Sequence, residues 1–462
     1  MIIRSRVIRA LAALSLFQAA LNGHGIRAQD VTKPAEATSS TAAQEVKKTN
    51  FSSQIAPILQ ANCVSCHSAK KSEGGYRIDT FHDLMQPGDS SATPVVAAKA
   101  DESLLIQRIT SSDPSIRMPP ESDPLTNDQV QAIRQWISEG AVFDGKEPKQ
   151  LLALVSPPPR YANPPAKYPA IPITAVCFSP DGTQLVTAGY HELTVWDAAS
   201  GTLARRIANI GQRVYAINFN SDGKSLAVAC GEPGRIGEVR IVDWASGEVA
   251  SVVARSVDVV LDVAIRPGRD EIAVAAADHS VRIINYRTGD IVRAYSSHAD
   301  WVTAIAFSAD GNKLVSASRD KSAKVFDLES GQMLVNYAGH GLPVRGVAFA
   351  PDGAQVVSVG DDKKLHRWNV ADAKKLVEVG IEGEGFHLIR ADNMILIPSA
   401  GRRVLKLDLS NNKIAATLAG LDDWALSCCI AADGRIAAGS ASGIIKLWAA
   451  DGKELKQWSA AP

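Results

Sequence analysis

The chain has 462 residues, which is long enough for two or three domains, and its 46% hydrophobic composition is ordinary for globular protein. Acidic and basic side chains balance at 49 each, so the charge gives no indication of a nucleic-acid partner or of an anionic membrane surface. Six cysteines in this length do not make a disulfide framework. Four of them fall in apolar, strand-like runs, where we expect buried free thiols: Cys177, Cys230, Cys428 and Cys429.

Residues 1–28 have the pattern of a secretory signal peptide. An apolar run at 10–21 follows three arginines, and the small residue Ala28 precedes polar sequence. The run is too short to favour a spanning helix, although an uncleaved anchor is the alternative interpretation. We therefore expect a periplasmic or otherwise exported protein with no membrane span once the signal is removed. Residues 29–49 are polar and small, which predicts a disordered tether.

The sequence Cys63-Val-Ser-Cys66-His67 is the attachment signature of c-type haem. Two thiols at this spacing can each add to a vinyl group of one haem, and the following histidine is then placed beneath the iron as an axial ligand. A zinc site is the first alternative, but it needs further ligands, and His82 is the only other candidate nearby. A redox dithiol is the second, but it usually occurs in a βαβ context that the sequence lacks.

Helical patterns surround this motif. Apolar residues at helical spacing predict a helix that begins near Phe51, is delayed or kinked by Pro57, and leads to Cys63. A short buried helix is expected at 103–109. A capping box at 126–129 predicts a further helix that ends at Gly140.

Met118 is followed by two prolines, and this restricts it to an extended loop that can hold a thioether against a metal. An electron-carrying iron needs both axial positions filled, and a methionine ligand raises the reduction potential relative to histidine. Met118 is therefore a candidate distal ligand of the haem iron. His82 and Met85 are competing ligands, an open site is another possibility, and a role as core filler is the structural alternative for Met118.

The blocks Phe51…Ile55-Ala-Pro-Ile-Leu59…Cys63-x-x-Cys66-His67, Ser103–Ile106, Met118–Pro120, Leu125–Thr126 and Trp136–Ala141 together resemble the planctomycete-type cytochrome c domain. The resemblance covers about residues 50–143 and implies a small all-α domain. It also implies His67 as the proximal and Met118 as the distal ligand of one covalently attached haem c. The proline-rich stretch 144–172 is then expected to be an extended linker.

The remainder of the chain, residues 173–460, repeats itself seven times with a period of about 40–46 residues. Each copy begins with an apolar strand and an Asp/Gly turn, as in Phe178-Ser-Pro-Asp-Gly182 and Phe307-Ser-Ala-Asp-Gly311. This half resembles the WD-repeat family, which implies an all-β propeller of seven four-stranded blades. The resemblance also implies a structural His–Asp–aromatic network in some blades, with these candidate members: His298, Asp320, His340, Asp362 and Trp368.

These expectations favour an exported electron-transfer protein whose propeller docks a redox partner or a protein complex. The sequence contains no nucleophile–base set, phosphate loop or zinc-protease motif, so a carrier or binding protein is favoured over an enzyme. Two alternatives stay open. The haem could act in redox or gas sensing, or in a structural scaffold, and the propeller could be an enzyme that feeds electrons to the haem.

Overall fold

The computed structural model describes residues 48–462, apart from residues 70, 121 and 146. The predicted signal peptide and nearly all of the predicted tether lie outside the described residues. Within the described part of the chain, no helix is both long and apolar enough to cross a membrane.

The N-terminal region is built from short helices. A π-helical turn at Phe51–Ile55, capped by Asn50, continues directly into α1, and Pro57 lies at the start of α1. The capping box predicted at Thr126 and Gln129 is confirmed at the start of the twelve-residue helix α4. The α-helices are α1 (Ala56–Asn62), α2 (Phe81–Leu84), α3 (Leu104–Ile109), α4 (Asn127–Ser138) and α5 (Leu152–Val155), and 3₁₀ turns lie at Glu73–Gly75 and Ala100–Glu102.

One hydrophobic core holds these helices together. Phe51 and Trp136 are buried, with ring centroids 5.2 Å apart, and Phe81 and Phe143 pack against them. Helices this short are marginal alone, so their stability depends on this shared apolar core. The predicted linker 144–172 differs from a plain extended segment, because α5 lies within it and Leu152 is buried in the helical core.

The rest of the chain forms seven antiparallel four-stranded sheets, each built from four consecutive strands. The first four blades are β1–β4 (Val176–Phe178, Gln184–Ala188, Leu193–Asp197, Leu203–Ile207), β5–β8 (Arg213–Phe219, Ser225–Glu232, Ile236–Asp243, Val249–Ser256), β9–β12 (Val260–Ile265, Glu271–Ala276, Val281–Asn285, Ile291–Tyr295) and β13–β16 (Val302–Phe307, Lys313–Ser318, Ala323–Asp327, Met333–Tyr337). The last three are β17–β20 (Val344–Phe349, Gln355–Gly360, Lys364–Asn369, Lys375–Gly380), β21–β24 (Ile389–Ala391, Met394–Ser399, Arg403–Asp408, Lys413–Leu418) and β25–β28 (Ala425–Ile430, Ile436–Ser440, Ile444–Trp448, Glu454–Ser459).

The ring closes where blade 7 packs on blade 1. All four strands of blade 7 come from the continuous segment 425–459, so the blade is complete without a strand from elsewhere. The Ser427 hydroxyl donates to the Ile173 carbonyl at 2.8 Å, and Arg435 donates to the Gly182 carbonyl at 2.7 Å. Side chain to backbone contacts between the first and last blades therefore join the ends of the ring.

Antiparallel order places the start of every first strand and the end of every fourth strand on one face, called here the upper face. The strap, residues 156–172, runs from α5 along this face. In blade 1 the Tyr168 hydroxyl donates to buried Glu192 at 2.7 Å, and Arg206 donates to the Pro165 and Ala166 carbonyls.

The strap is held in the same way in blade 2. The Tyr161 hydroxyl donates to buried Glu238 at 3.3 Å, and Arg240 donates to the Pro159 carbonyl at 2.6 Å. Arg255 donates to the Ser156 carbonyl. The strands β6 and β7 are longer than their counterparts in the other blades, and β7 supplies Glu238 to the strap.

Candidate functional site: a cavity around Cys63, Cys66 and His67

The sequence-predicted site residues meet at one cavity of about 410 Å³. Cys63, Cys66, His67 and Met118 all line it, together with apolar side chains that include Ile78, Leu104, Leu105 and Ile109. The volume lies in the range of cofactor and small-molecule sites, and the apolar lining with few polar groups is typical of them. Cys63 and Met118, which are 55 positions apart in the chain, thus lie at one site.

The end of α1 positions the two thiols and the histidine. The amides of Cys63 and Val64 both donate to the Leu59 carbonyl, and the His67 amide donates to the Cys63 carbonyl at 3.1 Å. These bonds curl the chain into consecutive turns directly after the helix. Cys66 and His67 are therefore presented to the same cavity as Cys63.

A backbone contact fixes the ring of His67. Its Nδ1 lies 3.3 Å from the Tyr76 carbonyl oxygen, which can only accept a hydrogen bond. Nδ1 therefore carries the proton, and Nε2 is left with the free lone pair that a metal requires. The Tyr76 hydroxyl in turn donates to the Leu84 carbonyl at 2.9 Å, which anchors the residue that orients His67.

Met118 reaches the cavity from a separate loop. Its amide donates to the Arg108 carbonyl at 3.1 Å, which ties the loop to α3. His82 and Met85, the competing ligands, are not among the described residues that line the cavity. His82 is exposed on α2 with Nδ1 3.1 Å from Asp83, and Met85 packs against the helical core. The position of Met118 at the cavity thus favours it over both competitors.

The protonation of Cys63 argues against a reactive dithiol. Burial, with a smaller contribution from Cys66, raises the pKa of the Cys63 thiol to about 12. Redox-active Cys-x-x-Cys motifs depend on a lowered thiol pKa, so this environment does not suit that chemistry. Among the described residues, Cys63, Cys66 and His67 belong to no cluster of three or more Cys, His, Asp or Glu side chains close enough together to hold a metal ion, so they do not form a zinc site. The donor set fits a haem, with two thiols for attachment, an oriented imidazole and a thioether in an apolar cavity.

The buried histidines of the propeller form the predicted networks. His340 lies 2.8 Å from Asp362 and 2.9 Å from the Ser358 hydroxyl, and Trp368 donates to that hydroxyl. His298 makes the equivalent contacts with Asp320 and Ser316 in blade 4, where Phe326 stands at the Trp368 position.

One buried histidine was missed in the sequence. His366 stacks on His340 with ring centroids 4.0 Å apart, and its Nδ1 lies 2.8 Å from the Tyr337 hydroxyl. Its place on the inward side of β19 could have been found from strand alternation around Trp368. The orienting role of Tyr76 was also missed, because it acts through a backbone carbonyl that any residue could supply.

Two family models match the chain. Residues 63–122 match the planctomycete cytochrome C model, and residues 167–197, 289–327 and 331–369 match the WD domain, G-beta repeat model. A stretch of 55 residues is 38% identical to the human Intraflagellar transport protein 122 homolog. That stretch is 12% of this chain and 4% of the human protein, so the chain spans only a small part of that relative.

The matches bear out both resemblances drawn from the sequence and support a haem-binding protein with a platform for protein interaction. The predicted order of a small helical region followed by seven blades is confirmed as well. The chain therefore joins a small helical region, in which residues 63–122 are similar to planctomycete cytochrome C, to a seven-bladed propeller with segments similar to WD repeats.

Proposed function

We propose that the protein is an exported c-type cytochrome that carries single electrons on one covalently bound haem and docks a partner protein through its propeller. The observation that carries the proposal is the convergence of Cys63, Cys66, His67 and Met118 on one cavity. When bound, the haem supplies reversible one-electron chemistry at its iron.

Each residue has a distinct part in this proposal. Cys63 and Cys66 would hold the cofactor covalently, His67 would bind the iron through Nε2, and Met118 would provide a second iron ligand. The hydrogen bond from His67 to the Tyr76 carbonyl keeps the imidazole in the tautomer that can bind. The apolar lining limits access of water, and a low-polarity surrounding helps to set the reduction potential.

The propeller serves as the docking platform. Blade edges and loops of propellers commonly bind other proteins, and the strap fixes this platform to the helical region through two tyrosine–glutamate contacts. Export is supported by the signal-peptide pattern of residues 1–28 and agrees with haem attachment outside the cytosol.

The first test is an optical spectrum of protein produced in cells competent for haem attachment, before and after denaturation in pyridine. We expect haem to stay with the denatured chain and to give a c-type reduced spectrum. Replacement of both Cys63 and Cys66 by serine should abolish this retention. Free, extractable haem in the unaltered protein, or the absence of haem, would refute the proposal.

Export has its own test. The protein should appear in the exported fraction with a new N-terminus near residue 29, as determined by N-terminal sequencing or intact mass. An N-terminus at Met1 in the cytosolic fraction would contradict this part of the proposal.

A further inference from the structure

Two blades carry a tryptophan at the same position on the upper face. Trp301 and Trp424 each stand directly before the first strand of their blade. The Trp301 carbonyl accepts from the Arg319 amide at 3.0 Å, and the Trp424 carbonyl accepts from the Ala441 amide at 2.9 Å. Ala441 of blade 7 is therefore the counterpart of Arg319 of blade 4.

The residue before each tryptophan is also the same. Asp300 accepts a hydrogen bond from the Trp301 amide at 2.7 Å, and Asp423 accepts one from the Trp424 amide at 2.8 Å. The two loops thus present an indole ring and an adjacent carboxylate in the same backbone arrangement.

In blade 4 the chain itself supplies a cation to this arrangement. The Arg319 guanidinium lies 4.4 Å from the centre of the Trp301 ring, and its Nε lies 3.7 Å from an Asp300 carboxylate oxygen. An aromatic face and a carboxylate attract a guanidinium together, the first through the ring quadrupole and the second through its charge.

In blade 7 the same place has no side-chain cation, because alanine replaces arginine. Trp424 is 48% exposed, against 37% for Trp301. Within the described part of the chain, no lysine or arginine forms an ion pair with Asp423 or with the neighbouring Asp422. Phe386 packs against Trp424, with ring centres 5.8 Å apart, and helps to hold the indole in place.

We propose that Trp424, Asp422 and Asp423 form a docking slot for an arginine side chain exposed on a partner protein. Blade 4 provides the template for the occupied state, and the two carboxylates of blade 7 provide the complementary charge. The strap covers part of blades 1 and 2 on the same upper face, whereas the slot lies in blade 7. The inference rests on the docking role in the proposed function and specifies what is docked.

The test uses the full-length, haem-loaded protein in its reduced state, with ¹⁵N-labelled tryptophan indoles. The probe is the peptide acetyl-Gly-Arg-Gly-amide, and the matched control peptide has neutral citrulline in place of arginine. Trp424→Phe identifies the indole signal of Trp424. We expect this signal to shift saturably with the arginine peptide, with a dissociation constant on the order of millimolar, because exposed cation–π and ion-pair contacts are individually weak. The citrulline peptide should give no shift.

Two reciprocal variants separate the slot from general surface binding. Ala441→Arg should fill the slot from within, as in blade 4, and abolish the Trp424 response. Arg319→Ala should open the equivalent place in blade 4, so that the Trp301 indole begins to respond. Neither Arg319 nor Ala441 has a positive φ, so the exchanges bring no backbone strain.

The proposal is overturned if Trp424 does not respond, if citrulline works as well as arginine, or if Ala441→Arg leaves the response unchanged. Should Ala441→Arg fail to fold, Asp423→Asn replaces it, with an expected loss of affinity of severalfold, and unchanged affinity overturns the slot. The haem spectrum of the same samples keeps the two proposals apart. A lost peptide response with a c-type spectrum refutes only the slot, and a retained response without haem refutes only the cytochrome.

Discussion

At His67, a single hydrogen bond decides which ring nitrogen is available. Because the Tyr76 carbonyl can only accept, Nδ1 must donate, and the Nε2 lone pair is left free. A backbone hydrogen bond also positions Met118, because its amide donates to the Arg108 carbonyl and so ties the loop to α3. Individual backbone contacts thus prepare two side chains from distant segments for one cofactor.

Met118 can be tested by truncation. In Met118→Ala we expect the reduction potential to fall by on the order of 0.1 V, because a thioether ligand stabilises the ferrous state. The methionine–iron charge-transfer band of the oxidised protein should disappear with it. Met85→Ala is the matched control, since Met85 packs against the helical core, and it should keep both properties. An unchanged band and potential in Met118→Ala would remove Met118 from the ligand set.

His366 should make the propeller sensitive to acid. Burial, reinforced by the neighbouring His340, lowers the pKa of His366 to about 4. Asp362, Lys375 and Glu378 are the other charged groups that face it. Between about pH 6.5 and pH 4 the unfolded chain binds a proton that the folded chain does not, so the free energy of unfolding falls as the pH falls.

Between about pH 6.5 and pH 4, titration of His366 should lower the free energy of unfolding by on the order of 1–3 kcal/mol. We expect His366→Gln, which keeps a polar partner for Tyr337 but does not titrate, to flatten the dependence of the unfolding midpoint on pH. Urea unfolding followed by far-UV circular dichroism at several pH values measures this. If the unfolding midpoint of the variant depends on pH as steeply as that of the unaltered protein, His366 does not contribute to the acid sensitivity.

At the scale of elements, the strap is hydrogen-bonded to two similar ion pairs, one within blade 1 and one within blade 2, which differ in burial. Arg240 and Glu238 in blade 2 have side chains 1% and 0% exposed, whereas Arg206, the partner of buried Glu192 in blade 1, is 24% exposed. A buried charge that loses its partner lowers the stability of the fold strongly, whereas water can solvate a charge that is partly exposed. The two attachments should therefore respond differently to the same change.

We expect Glu238→Gln to destabilise the protein by about 3–5 kcal/mol, because Arg240 and Arg255 would remain buried without a counter-charge. Glu192→Gln is the matched variant in blade 1 and should cost clearly less. Equilibrium unfolding gives the free energies, and limited proteolysis within 156–172 reports release of the strap. Equal losses in both variants would mean that burial of the arginine does not set the cost.

Short-range features of the structure can be predicted well from the sequence. The capping box of α4, the late start of α1 beside Pro57 and the seven-fold period each depend on neighbouring residues or on repetition, and each has its counterpart in the structure. The conformation of residues 144–172 depends instead on contacts with residues far away in the chain. Prolines predict an extended segment, but they do not reveal that Leu152 is buried in the helical core or that Tyr161 meets Glu238 77 residues later.

At the scale of the molecule, the helical region and the propeller have separate hydrophobic cores. The core around Phe51 and Trp136 contains residues 51–152, and the propeller clusters draw only on residues from 173 onward. The strap links them through hydrogen bonds on the upper face. Loss of the haem should therefore affect the two parts unequally.

The combined variant Cys63→Ser and Cys66→Ser tests this separation. Both residues belong to the cavity and neither belongs to the propeller clusters, so the variant should lack covalent haem and keep the β-sheet signal and the unfolding midpoint of the propeller. Far-UV circular dichroism during thermal unfolding, with Ser65→Ala as a control within the same turn, gives the comparison. Because removal of a bound ligand withdraws its stabilisation only from the part that binds it, the helical region should unfold at lower temperature. Loss of the propeller transition as well would mean that the strap transmits the stability of one core to the other.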